Sequence, residues 1–140
     1  MSEGQWTQVE RACRDLIAGN AGRLRWSWDA RFNAALATFT AAEAPDILAS
    51  LAASLPSRWD HANVGRAPVA VAKLADGIGG VRAGQFILST DPAQDVLVVG
   101  AWWPWGGGLT VSIRLFPLAS GAAVASQEDL AAAFRGWFCP

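Results

Sequence analysis

Apolar residues recur along the chain with two different periods, and the changes of period mark the elements. Trp6, Val9, Cys13, Leu16 and Ile17 fall at helical spacing while Glu10, Arg11, Arg14 and Asp15 lie mostly on the opposite side, which predicts an amphipathic helix over roughly Glu3 to Ala18. Ser2 and Gln5 have capping-box spacing at its start, and Gly19-Asn20 tolerate the left-handed conformation that ends a helix. From Arg23 the period becomes two. Leu24, Trp26 and Trp28 alternate with Arg25, Ser27 and Asp29, the pattern of a strand with one buried and one wet face. A second extended stretch, about Ala34 to Thr40, pairs with it through a turn near Ala30 to Asn33. Thr40 and Glu43 again have capping-box spacing, Pro45 suits a first turn, and Ile47, Leu48, Leu51 and Leu55 mark a second helix that ends before Pro56.

Ser57 to Pro68 has no clean period and reads as a loop or a short irregular helix, with a turn at Asn63-Val64-Gly65. Val69 to Ala75 reads as a short helix, a strand being the alternative, and is ended by Asp76-Gly77 and Gly79-Gly80. Three strands follow, Gln85 to Thr90, Asp95 to Trp103 and Leu109 to Phe116, joined by Asp91-Pro92 and Gly106-Gly107-Gly108 as an antiparallel meander. Ser126 is the expected cap of a last helix running through Leu130, Phe134 and Trp137. This order predicts one α+β domain over residues 1–140: an antiparallel sheet of about five strands with helices packed on one face, a two-layer sandwich.

One strand departs from that plan. Val96, Val98 and Trp102 on one side and Leu97, Val99 and Trp103 on the other make it apolar on both faces. Both faces need cover, and either a protein partner, a second copy included, or a helix of the same chain can supply it. The last strand differs, because Thr110, Ser112 and Arg114 make its second face polar.

Composition narrows the function. With 140 residues, eight Trp and six Phe, the chain buries a core without needing disulfides or a metal. Eleven basic and twelve acidic residues are scattered singly, so nucleic acid and anionic membranes are not expected partners. The first residues have no secretory pattern and no apolar run approaches membrane length, so a cytoplasmic location is expected. Cys13 and Cys139 stand far apart without a metal or redox motif and are expected to be reduced thiols, a single disulfide between them being the alternative.

Chemistry is sparse, and no cofactor or metal is expected. His61 is the only histidine; Asp60 precedes it, but no nucleophile motif accompanies it, and it reads as a loop residue. Asp91 and Asp95 read as solvated turn acids rather than calcium ligands. The glycines from Gly77 to Gly84 lack the Gly-Lys-Ser/Thr and the following helix of a phosphate loop. Trp102-Trp103-Pro104-Trp105 before three glycines stands out, since indole faces stack on sugars, bases or proline-rich peptides. The plainer reading is that alternation sends Trp102 and Trp103 to opposite faces, one into the core and one under a helix or partner.

The order Val71-Ala72-Lys73-Leu74, Gly84-Gln85-Phe86-Ile87-Leu88, Val96-Leu97-Val98-Val99 and Ser126-Gln127-Glu128-Asp129-Leu130 resembles the YbjN-like domain and the related class I type III secretion chaperones. The resemblance covers roughly Val69 to Trp137. It implies a non-enzymatic, often dimeric protein that holds an extended partner segment against its sheet and helices.

The expectation is therefore a protein-binding module, an adaptor or chaperone-like component, with Trp102, Trp103, Trp105, Leu97, Val99 and Arg114 as contact residues. The alternative is a small-ligand-binding protein or enzyme with a pocket lined by Trp102, Trp103 and Trp105, with His61 and Arg114 as further candidates for its lining.

Overall fold

In the computed structural model, residues 3–119 and 126–140 are described, so the expected cap Ser2 lies outside the described residues. The elements run α1 (Glu3–Gly19), β1 (Ser27–Asp29), β2 (Ala34–Thr40), α2 (Ala44–Ser54), β3 (Ser57–Asp60), α3 (Val69–Gly77), β4 (Phe86–Ser89), β5 (Val96–Trp105), β6 (Thr110–Ala119) and α4 (Gln127–Phe138). The strands make one six-stranded sheet in the order β1-β2-β6-β5-β4-β3, antiparallel throughout. The α+β class, the N-terminal hairpin and the β4-β5-β6 meander are as the residue pattern predicts.

The strand count rises from about five to six because Ser57–Asp60, read as a loop or irregular helix, is a strand on the edge beside β4. Four residues of mixed polarity give no period to detect; pairing with the buried β4 imposes the conformation. The extended stretch from Arg23 pairs only over Ser27–Asp29. At α2 the expected capping box does not form: Glu43 is the N-cap without a side-chain cap bond, and Thr40 Oγ1 donates to Glu43 Oε1 at 3.4 Å. Ser126 does cap α4, its Oγ accepting the Asp129 N–H at 3.1 Å.

One face of the sheet is covered by α1, α2 and α4, through Cys13, Leu16, Ile47, Leu51, Leu130 and Phe134, all without measurable exposure. At the centre of this layer Gly100 of β5 admits α2: a Cβ there would stand 3.2 Å from Ile113 Cδ1 and Leu115 Cδ2 and 3.3 Å from Leu55 Cδ1. Trp102 lies on the same face between Phe86, stacked at 5.3 Å, and Phe39, tilted at 5.3 Å, with the Arg58 guanidinium 3.7 Å from the Phe86 ring centre.

The other face is not left to water, and here the expectation of helices on one face needs correcting. Val71 of α3 packs with Ile87, Leu97, Val99, Ala101 and Phe116, with Trp59, Leu74, Ile78 and Trp103 around them. The cause is the two-sided apolarity of β5. Leaving Leu97 and Val99 in water would forfeit about 1.5–3 kcal/mol each, so a short helix of the same chain is drawn over them. At the exit of α3, the Gly80 N–H reaches back to the Ala75 carbonyl at 2.8 Å, which gives the glycine-rich stretch a helix-ending role.

Candidate functional site

The cover supplied by α3 stops part-way along the second face. Trp105 pairs across from Thr110 and Trp103 across from Ser112, and β2 extends the same two rows with Thr40 and Thr38. Thr38 and Thr40 are exposed, Trp103 is half-buried against the second core, and Trp105 is 54% exposed. Two indoles thus stand beside a low floor of four small hydroxylated residues.

This floor is internally bonded. Trp105 Nε1 donates to Ser112 Oγ at 2.9 Å, and Ser112 Oγ lies 3.2 Å from Thr38 Oγ1, so one chain of hydroxyl and indole groups links β5, β6 and β2. Ser112 is the register partner of Trp103, not of Trp105, so the Trp105 side chain reaches back along the sheet by one row. Its polar edge is satisfied by the protein and its apolar surface meets solvent. The hairpin behind it turns on Gly106, Gly107 and Gly108 with φ of +63°, +71° and +84°, a run of left-handed conformations that side chains beyond Cα would strain.

The next row carries charge. Arg114 Nε donates to Asp29 Oδ2 at 2.9 Å, and the Arg31 N–H donates to Asp29 Oδ1 at 3.0 Å. Burial by itself raises the Asp29 pKa; the hydrogen bond and charge of Arg114, with the backbone N–H groups of Arg31 and Phe32, outweigh it and hold the carboxyl below its ordinary range. Arg114 also lies 5.5 Å from the Phe32 ring centre, with Arg31 4.9 Å from the same ring. The half-face is consequently aromatic and hydroxylated, with its arginine already neutralised.

No family model, curated protein or solved structure matches this chain. The face is therefore read from its own residues. Of the six contact residues expected from the sequence, Trp103, Trp105 and Arg114 share this half-face. Leu97 and Val99 are fully buried beneath α3, and Trp102 is 5% exposed on the opposite face. They are core residues in this chain. Residue patterns did not single out Thr38, Asp29 or Phe32, which reach this half-face only through the pairing of β1, β2 and β6, and they give Ser112, opposite Trp103, only as a polar position of the last strand.

The remaining candidates separate. His61 is exposed in a turn closed by Asp60, whose Oδ1 accepts the Ala62 N–H at 2.9 Å. Asp91 accepts the Ala93 N–H at 2.9 Å, and Asp95 accepts from Gln5 Nε2 at 2.8 Å. Among the described residues, no three His, Cys, Asp or Glu side chains gather to hold a metal ion, and no helix is long and apolar enough to cross a membrane. A groove of about 650 Å³ runs between α3 and the end of β6, lined by Phe32, Val69, Lys73, Leu74, Phe116 and Leu118 among others. Its described lining contains no tryptophan and meets the indole half-face at Phe32.

Proposed function

We propose that this protein is a non-enzymatic protein-binding module, an adaptor or chaperone-like component, whose contact surface is the open half of the second sheet face. The observation that carries this reading is the state of Trp105: an indole more than half exposed, yet held in place by its Nε1 bond to Ser112. A large amphipathic side chain already immobilised loses little entropy on binding, which is what makes tryptophan an anchor of protein interfaces. The face is open along the β2 side instead of enclosed, which suits a macromolecular surface better than a small molecule. Resemblance to chaperone-like domains that hold an extended partner segment agrees with it.

A photo-cross-linking amino acid placed at position 105, and at position 69 as a control on exposed Val69, tests the reading in the native host. The expected result is a discrete protein adduct from position 105, of a second copy or another chain, that Trp103→Ser removes. Adducts of equal yield from both positions, or none from position 105, would contradict it.

A further inference from the structure

We propose that the partner enters as an added β-strand on the outer edge of β2 at Thr38 and Thr40, and that it is an extended segment with a large apolar side chain flanked by acidic residues. This rests on the reading of the half-face as a protein-binding surface. β1 pairs with β2 only from Ala34 to Leu36, so among the described residues no strand lies along the outer side of Ala37 to Thr40. Just before β1, Leu24 is buried in the first-face core and Trp26 packs 4.9 Å from the Phe138 ring of α4, and neither residue pairs with β2.

The direction of the backbone groups follows from two bonds. Ser27 Oγ donates to the Leu36 carbonyl at 3.4 Å, so even-numbered residues of β2 face the outer edge. The Ala41 N–H donates to the Leu109 carbonyl at 2.9 Å, so odd-numbered ones face β6. Alternation then points the N–H and carbonyl of Thr38 and the N–H of Thr40 outward, while the Thr40 carbonyl accepts the Glu43 N–H at 3.0 Å. Three backbone groups in strand spacing are a template for another extended chain.

Side chains select which chain. A strand beside β2 directs every second side chain over the second face, next to Thr38 and Thr40, where the floor is low and the Trp105 ring forms the far wall. A large apolar residue fills that step. Arg23 and Arg25 are exposed on the segment before β1, whereas Asp29 is committed to Arg114 and Glu43 accepts from Thr40 Oγ1. Acidic residues on the incoming strand complement this charge.

The test is selection from a displayed library of linear 12-residue peptides on the full chain, after which each enriched peptide is measured against Thr38→Pro, which removes one outward N–H without breaking the β2–β6 pairing. Expected ligands carry a large apolar residue between acidic ones and shift the Thr38 and Thr40 amide and Trp105 indole N–H resonances. N-methylation of the peptide at alternate residues of one parity should weaken binding on the order of tenfold per blocked bond, and at the other parity much less. This arm needs no protein variant, so it decides the matter even if Thr38→Pro fails to fold. Peptides that shift Trp105 but bind Thr38→Pro equally and tolerate N-methylation at both parities would overturn the edge while leaving the face. Peptides that shift neither Thr38 nor Trp105 would overturn both, and failure of any peptide to enrich would overturn the edge alone.

Discussion

Arg114 of β6 and Asp29 of β1 are joined over the intervening β2 by a bond of 2.9 Å from Nε to Oδ2. Neither strand pairs with the other, so this contact ties the three-residue edge strand β1 to the middle of the sheet. The ion pair is partly screened, its side chains being 26% and 14% exposed. Arg114→Ala is expected to cost about 1 kcal/mol after allowance for that screening, measured by urea unfolding, and to loosen β1 in hydrogen exchange.

Acid should expose the same pair. The folded-state pKa of Asp29 lies below its unfolded value, so its stabilisation is fully present above the unfolded carboxyl range and is lost as pH falls through the folded pKa. Unfolding free energy measured from neutral pH down through that window should decline less steeply in Asp29→Asn than in the wild type. Parallel curves would show that Asp29 does not contribute.

Leu97 and Trp105 belong to the same strand and the same face, but differ in cover. Leu97→Ala, beneath α3, is expected to destabilise the fold by about 3 kcal/mol, whereas Trp105→Ala should change it by less than about 1 kcal/mol. Chemical unfolding of both variants checks this, and a large loss in Trp105→Ala would make that indole structural.

Gly100 leaves no room for a side chain beneath α2. Gly100→Val should cost about 1–3 kcal/mol in thermal unfolding, because Leu55, Ile113 and Leu115 must all give way.

Thiol labelling separates the two cysteines. Burial pushes Cys13 far above the ordinary thiol range and raises the less buried Cys139 too. With a thiol reagent at mildly alkaline pH, Cys139 should be modified in the folded protein and Cys13 only at the rate of unfolding.

Much of this fold is legible because its elements carry strong local periods. The stripe of Ile47, Leu51 and Leu55 identifies α2, and the alternation through Val96 to Trp103 marks both faces of β5 as buried and separates Trp102 from Trp103. Periodicity identifies a buried stripe but not the layer against which it packs, so the placement of Val71 over Leu97 and Val99 was not readable. The same limit applies to the site. Trp105 and Arg114 stand out as residues and Ser112 as a polar position of β6, but Thr38 gains meaning only from the β2–β6 register, and Asp29 only from a contact over β2. Edge strand β3 takes its form from β4 and carries almost no signal of its own.

The most direct test of the binding-face account is separation of binding from folding. The affinity of the partner recovered by cross-linking from position 105 would be measured by titration calorimetry for the wild type and for Trp103→Ser/Trp105→Ser, beside their melting curves. A roughly 30-fold or greater loss of affinity is expected, the scale of a hot-spot truncation of about 2 kcal/mol or more, with the fold retained. Unchanged affinity in a folded double variant would contradict it.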